Sequence, residues 1–273
     1  MTAIKKAQNA PGGGTTPVDQ TTLYAEDWNG LVILAKQFSP LNFWRNLLIY
    51  SGFVAQTTPS DNQWRSVVWS PELSLFCALS LTGTLDRVMT SADGINWTAR
   101  TTPNNNDWRS VVWSPELSLF CAVSLTGTLN RVMTSPDGIN WTARTTPNSN
   151  NWHGVVWSPE LSLFCAVSIT GTLNRVMTSA DGINWTARTT PNNNNYTSVT
   201  WSPELNLFCA VSITGTLNRV MTSPDGINWT ARTTPNSNNL FGIAWSPELG
   251  IFCAVSTTGT LDRVMRSKII SVA

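Results

Sequence analysis

The chain has 273 residues, a formal net charge of +1, 41% hydrophobic residues and 12% charged residues, where globular chains usually carry about 25% charge. With so few charges, Asn, Thr and Ser must do most of the solvating, and the near-neutral balance argues against a nucleic-acid binder or a polybasic membrane binder, both of which need a cationic face. No apolar run approaches the roughly 18 residues that span a bilayer, so no membrane insertion is expected, and the two lysines near the start are not followed by the apolar stretch of a secretory signal.

The first region differs from everything after it. Lys5 to Pro17 is rich in Gly, Pro and Thr and is expected to be a flexible arm. Thr22 can cap a helix beginning near Ala25, with Glu26 and Asp27 in its first turn and Ser39-Pro40 as its stop. Trp28, Leu31, Val32, Ala35 and Phe38 would share one stripe of that helix, an apolar face that needs a partner. Residues 1–47 are therefore expected to be an arm and short helix serving anchorage or oligomerisation.

From there to the C-terminus the sequence repeats. WSPEL recurs at Trp69, Trp113, Trp157, Trp201 and Trp245, always 44 residues on. The same step carries Cys77, Cys121, Cys165, Cys209 and Cys253, then a TGTL turn, then RVM triplets opened by Arg87, Arg131, Arg175, Arg219 and Arg263. Within one copy, Trp64 to Trp69, Leu75 to Leu81, Asp86 to Thr90 and Ile95 to Arg100 read as four strands separated by Ser-Pro, Thr-Gly-Thr and Asp-Gly turns. Such a sheet cannot bury both faces alone, so copies must stack. The expected fold is all-β, a five-bladed β-propeller over residues 48–273, beside the small N-terminal anchor.

The fifth copy ends without the DGINWTARTTP of the others. Phe53 to Pro59 lies one period before Trp97 to Pro103 and matches it at four of seven positions. This segment is expected to complete the last blade and close the ring, leaving no open edge.

The SADGINW and SPDGINW turns at Asp93, Asp137, Asp181 and Asp225 resemble a shortened Asp-box, the hairpin motif of sialidase-like and related propellers. The whole blade is similar to repeats of bacteriophage and bacterial propeller proteins, and a ring of five near-identical blades resembles the tachylectin-type lectins in architecture. The Asp-box likeness implies fold alone, since in that family the box is a structural turn. TTPVDQTTLYAEDWNGLVILAKQF resembles the N-terminal attachment regions of phage virion appendages. That likeness implies a virion protein assembled in the host cytoplasm, partnered by other virion proteins and oligomeric, with a trimer favoured.

Motifs for chemistry are sparse. A single histidine, His153, rules out a histidine metal cluster, and no phosphate loop or HExxH occurs, so no catalytic residue, metal or cofactor is expected. The cysteines occupy equivalent positions about one sheet spacing of roughly 10 Å apart, too far for disulfides, and read as core thiols. Copies differ most at the start of the first strand: QWRS, DWRS, NWHG, NYTS and NLFG. Aromatic rings beside amides and guanidinium groups suit sugars, whose apolar faces stack and whose hydroxyls need planar polar partners. Trp64, Arg65, Trp108, Arg109, Trp152, His153, Tyr196 and Phe241 are the candidate ligand residues. The competing reading makes Trp64, Trp108, Trp152, Tyr196 and Leu240 interblade packing. Three functions stay open: a virion appendage recognising a host-surface glycan, a free multivalent lectin, and a sialidase-like glycosidase.

Overall fold

The computed structural model describes residues 53–268, so the expected anchor helix and its stripe lie outside the described residues. From Gln56 onward the chain is one compact unit. Blade 1 contains β1 (Trp64–Ser70), β2 (Leu75–Ser80), β3 (Val88–Ser91) and β4 (Thr98–Arg100). Blade 2 contains β5 (Trp108–Ser114), β6 (Leu119–Ser124), β7 (Val132–Ser135) and β8 (Thr142–Arg144). Blade 3 contains β9 (Trp152–Ser158), β10 (Leu163–Ser168), β11 (Val176–Ser179) and β12 (Thr186–Arg188). Blade 4 contains β13 (Tyr196–Ser202), β14 (Leu207–Ser212), β15 (Val220–Ser223) and β16 (Thr230–Arg232), and blade 5 contains β17 (Leu240–Ser246), β18 (Ile251–Ser256) and β19 (Val264–Arg266). Each blade is an antiparallel meander in chain order.

In blades 1 to 4 the second strand is buried on both faces, as its unbroken apolar run requires: Phe120, Cys121, Ala122 and Val123 are all fully buried. The third strand starts two residues later than its sequence suggests, because Asp86 is used in the turn, where its carboxylate accepts the Thr84 amide. The fourth is trimmed at its start by the Asp-Gly turn. In blade 2, Asp137 Oδ1 accepts the Ile139 and Asn140 amides at 2.8 Å each, Asn140 Nδ2 donates to Oδ2 at 2.7 Å, and Gly138 supplies φ +72°. Burial raises the Asp137 pKa, but these bonds outweigh it and hold the carboxyl down at about 2.

Blades join through a repeated interface. Trp108 of blade 2 packs with Cys77, Leu79 and Val88 of blade 1, and the same set recurs around Trp152 and Tyr196. Two latches accompany it. Trp113, Trp157, Trp201 and Trp245 each donate Nε1–H to Glu72, Glu116, Glu160 and Glu204 of the preceding blade at 2.6 Å. Arg87, Arg131, Arg175 and Arg219 reach forward to Asp107, Asn151, Asn195 and Asn239. Asn106, which leads into blade 2, donates to the Asn130 carbonyl of the same blade at 2.8 Å. Gly127 lies so close to Asn106, at φ +109°, that a Cβ there would come within 2.4 Å of Nδ2.

The outer faces of the first and last blades differ from the inner ones. Val67 and Trp69 of blade 1 are 61% and 40% exposed, and Val255 and Val264 of blade 5 are 49% and 63% exposed. Among the described residues, 53–59 form no strand and the fifth sheet has three strands, so the expected closing strand is not paired with β19. Cys77, Cys121, Cys165 and Cys209 are buried, whereas Cys253 on the outer face of blade 5 is exposed. Burial pushes the inner thiols up, Cys209 to about 12.

Candidate functional site

The first strands of successive blades pack on one another, β1 on β5, β5 on β9, β9 on β13 and β13 on β17, which makes them the innermost strands. Each opens with a β-bulge. Trp108 pairs with Ser124 and Ser110 with Val123, leaving Arg109 as the extra residue. The same irregularity falls at Trp64/Ser66, around His153, at Tyr196/Ser198 and at Leu240/Gly242. The five extra residues are Arg65, Arg109, His153, Thr197 and Phe241. A bulge bends the strand and re-aims the side chain it leaves unpaired, so here it separates two neighbours that sequence alone cannot tell apart.

The residue before each bulge turns into the interblade core. Trp108, Trp152, Tyr196 and Leu240 are fully buried. This corrects the expectation that Trp108, Trp152 and Tyr196 offer rings to a ligand: they are packing residues, sealed by the preceding blade. Trp64 is half-buried on the outer side of blade 1, where its indole donates to the Ser60 carbonyl at 3.4 Å.

The bulge residues themselves converge. His153 of blade 3 sits 2.6 Å through Nδ1 from the Thr197 carbonyl of blade 4, and Arg109 of blade 2 donates Nε–H to His153 Nε2 at 3.1 Å. The imidazole also meets Phe241 of blade 5 edge-on, with ring centroids 5.7 Å apart. A carbonyl can only accept and a guanidinium can only donate. His153 is therefore the neutral Nδ1–H tautomer, with both nitrogens engaged. Its pKa is lowered to about 4 by burial first, then by the Arg109 charge, with Arg65 adding to the effect and the Thr197 hydrogen bond opposing it. The Arg109 pKa is lowered by burial and by the neighbouring Arg65 charge. Thr197 is buried and donates through Oγ to the Leu240 carbonyl at 2.9 Å, so it ties blades 4 and 5 together.

The cluster thus joins Arg65, Arg109, His153 and Phe241, four of the eight candidates, and adds Thr197, which the sequence reading passed over. Its signal was the 44-residue step from His153. The one ion pair among the described residues, Arg87 with Asp107 at 2.9 Å, involves neither arginine of the cluster. Two guanidinium groups share the site, and among the described residues no carboxylate pairs with either. A separate surface cleft of about 370 Å³ is lined by Gln56 to Pro59 and by Ile95 to Trp97, beside β4, and these residues carry no titratable group.

Comparison with known proteins places the architecture. No protein-family model matches the chain, and no curated protein matches it. A virginiamycin B lyase from Staphylococcus aureus superposes with TM-score 0.61 at 13% identity, over 78% of this chain and 72% of that one. The chain is a repeat β-propeller. A structure of YCF48 bound to D1 peptide is similar at TM-score 0.54 and 15% identity, over 79% of this chain and 66% of that one. A GH74 enzyme from Niastella koreensis is similar at TM-score 0.54 and 18% identity, over 70% of this chain and 33% of that one. At such identities the likeness extends to fold alone, and this fold serves enzymes and non-enzymes.

Proposed function

We propose that this propeller is a non-enzymatic recognition module, displayed on a bacteriophage virion, that binds a host-surface glycan. The observation that carries this reading is the placement of variation: near-identical blades differ at the bulges, and the bulge side chains meet on the innermost strands. A rigid scaffold with a small, variable, convergent polar and aromatic cluster suits ligand recognition. His153 has both nitrogens occupied, so it is not poised as a general base. Support for the virion setting comes from the resemblance of the N-terminal segment to phage attachment regions, which also carries the proposal of virion protein partners and a trimeric assembly.

The test is binding of the purified full-length chain to an array of bacterial surface polysaccharides, together with immunogold localisation on particles from the host culture. Selective glycan binding with label on the particle is expected. Glycan binding by a monomer absent from particles would favour the free lectin instead. Hydrolysis of the bound glycan would overturn the non-enzymatic reading.

A further inference from the structure

Building on the glycan-recognition reading, the geometry of the bulge cluster points to the class of sugar. We infer that the ligand carries a carboxylate of the uronic-acid kind, received by Arg109 and Arg65, while Phe241 stacks on the apolar face of the sugar ring.

Three features of the cluster converge on this. First, Arg109 is half-buried and repelled by Arg65, and no acidic side chain pairs with either among the described residues. A half-buried guanidinium needs acceptors for all its donors: Arg131 has the Gly127 and Leu125 carbonyls and Asn151, whereas among the described residues Arg109 has His153 for Nε–H alone, and Arg65 beside it is exposed. Second, His153 takes the Nε–H of Arg109 and is itself fixed by the Thr197 carbonyl. That bond uses Nε–H and leaves the two terminal nitrogens of the guanidinium as donors, the end-on fork that matches a planar carboxylate. His153 acts here as a positioning residue. Third, Phe241 is 39% exposed and touches His153 only edge-on, so ring surface remains for a sugar.

Titration calorimetry of the full chain at low salt tests the inference with four probes: a galacturonic acid oligosaccharide, a neutral glucose oligosaccharide of equal length, a sulfated oligosaccharide and inorganic phosphate. The uronic oligosaccharide is expected to bind at least about tenfold more tightly than the others and to weaken as salt rises. Arg109→Gln and Arg65→Gln should each lose about tenfold, and Arg109→Lys should lose part of that because it keeps charge without the fork. Arg144→Gln removes a cation from β8, where Arg144 bonds Thr134, and should change nothing. Unchanged unfolding midpoints would show that the variants fold. Equal binding of the neutral oligosaccharide would overturn the carboxylate inference and leave glycan recognition standing. Tighter binding of sulfate or phosphate would overturn the choice of carboxylate. Binding of no oligosaccharide would overturn both readings.

Discussion

At the scale of single residues, the five positions ahead of the bulges show how the interface tolerates chemistry. Trp152 is fully buried, and its indole N–H has no partner among the described residues. In blade 4 the equivalent Tyr196 is just as buried but donates its hydroxyl to Asn192 at 2.8 Å. Trp152→Ala should therefore cost about 3–5 kcal/mol through the lost packing and the cavity. Trp152→Tyr, which can place a hydroxyl near Asn148, should cost less than about 1.5 kcal/mol. Urea unfolding of both variants measures the contrast. His153 gives a second expectation. Its folded pKa of about 4 lies below the ordinary value of 6.5, so the unfolded chain takes up the proton first as pH falls. Stability should be full above about pH 6.5, decline from there to about pH 4, and not recover below. His153→Thr, which copies the blade 4 residue, should remove that slope. The sequence holds one histidine, so its NMR signal reports the titration directly.

At the scale of elements, the strands were legible because their signals are local. WRSVVW, LFCAV and the Asp-Gly turn each specify their own conformation, and four strands per complete blade emerge near their expected places. The errors lie where a turn takes residues from a strand, as Asp86 and Asp93 do. The bulge was not legible. Period-two alternation says that Trp108 and Arg109 point opposite ways, but the side each takes depends on the extra residue in the ladder with β6, a property of pairing and not of the strand. That is why the candidate residues include both Trp108 and Arg109, of which the first lies in the core and the second in the bulge cluster. The Arg87 latch also reads across elements: its partner is Asp107 once and Asn in three other blades. A neutral acceptor suffices, in keeping with the small worth of a half-exposed ion pair.

At the scale of the whole propeller unit, four equivalent seams, the last with the smallest buried cluster, and two unlike ends set the distribution of stability. Inner blades are packed on both faces, whereas β1 presents Val67 and Trp69 to solvent and blade 5 presents Val255 and Val264. Amide hydrogen exchange should be slowest in β6, β10 and β14 and much faster in β18 and β19, since local opening is least costly where few apolar contacts are lost. Uniform protection across all five blades would show that the end faces are covered in solution. The repeat count and blade order follow directly from the 44-residue step. Closure did not follow from it, because a match between Phe53–Pro59 and Trp97–Pro103 states what a segment could pair with, and pairing also requires the two end faces to meet.

The bulge has one more consequence. Because its extra residue stands outside the pleat, a change at Arg65, Arg109 or Phe241 leaves the buried seam residue ahead of it and the ladder hydrogen bonds in place, whereas Thr197 is itself tied to the next blade. The flanking blades are nearly identical in sequence, so recombination between them can carry a bulge residue from one of the less buried seats to another without refitting the core. Permutation among these seats, instead of gradual remodelling of a pocket, is then the route by which the innermost strands change the side chains they present.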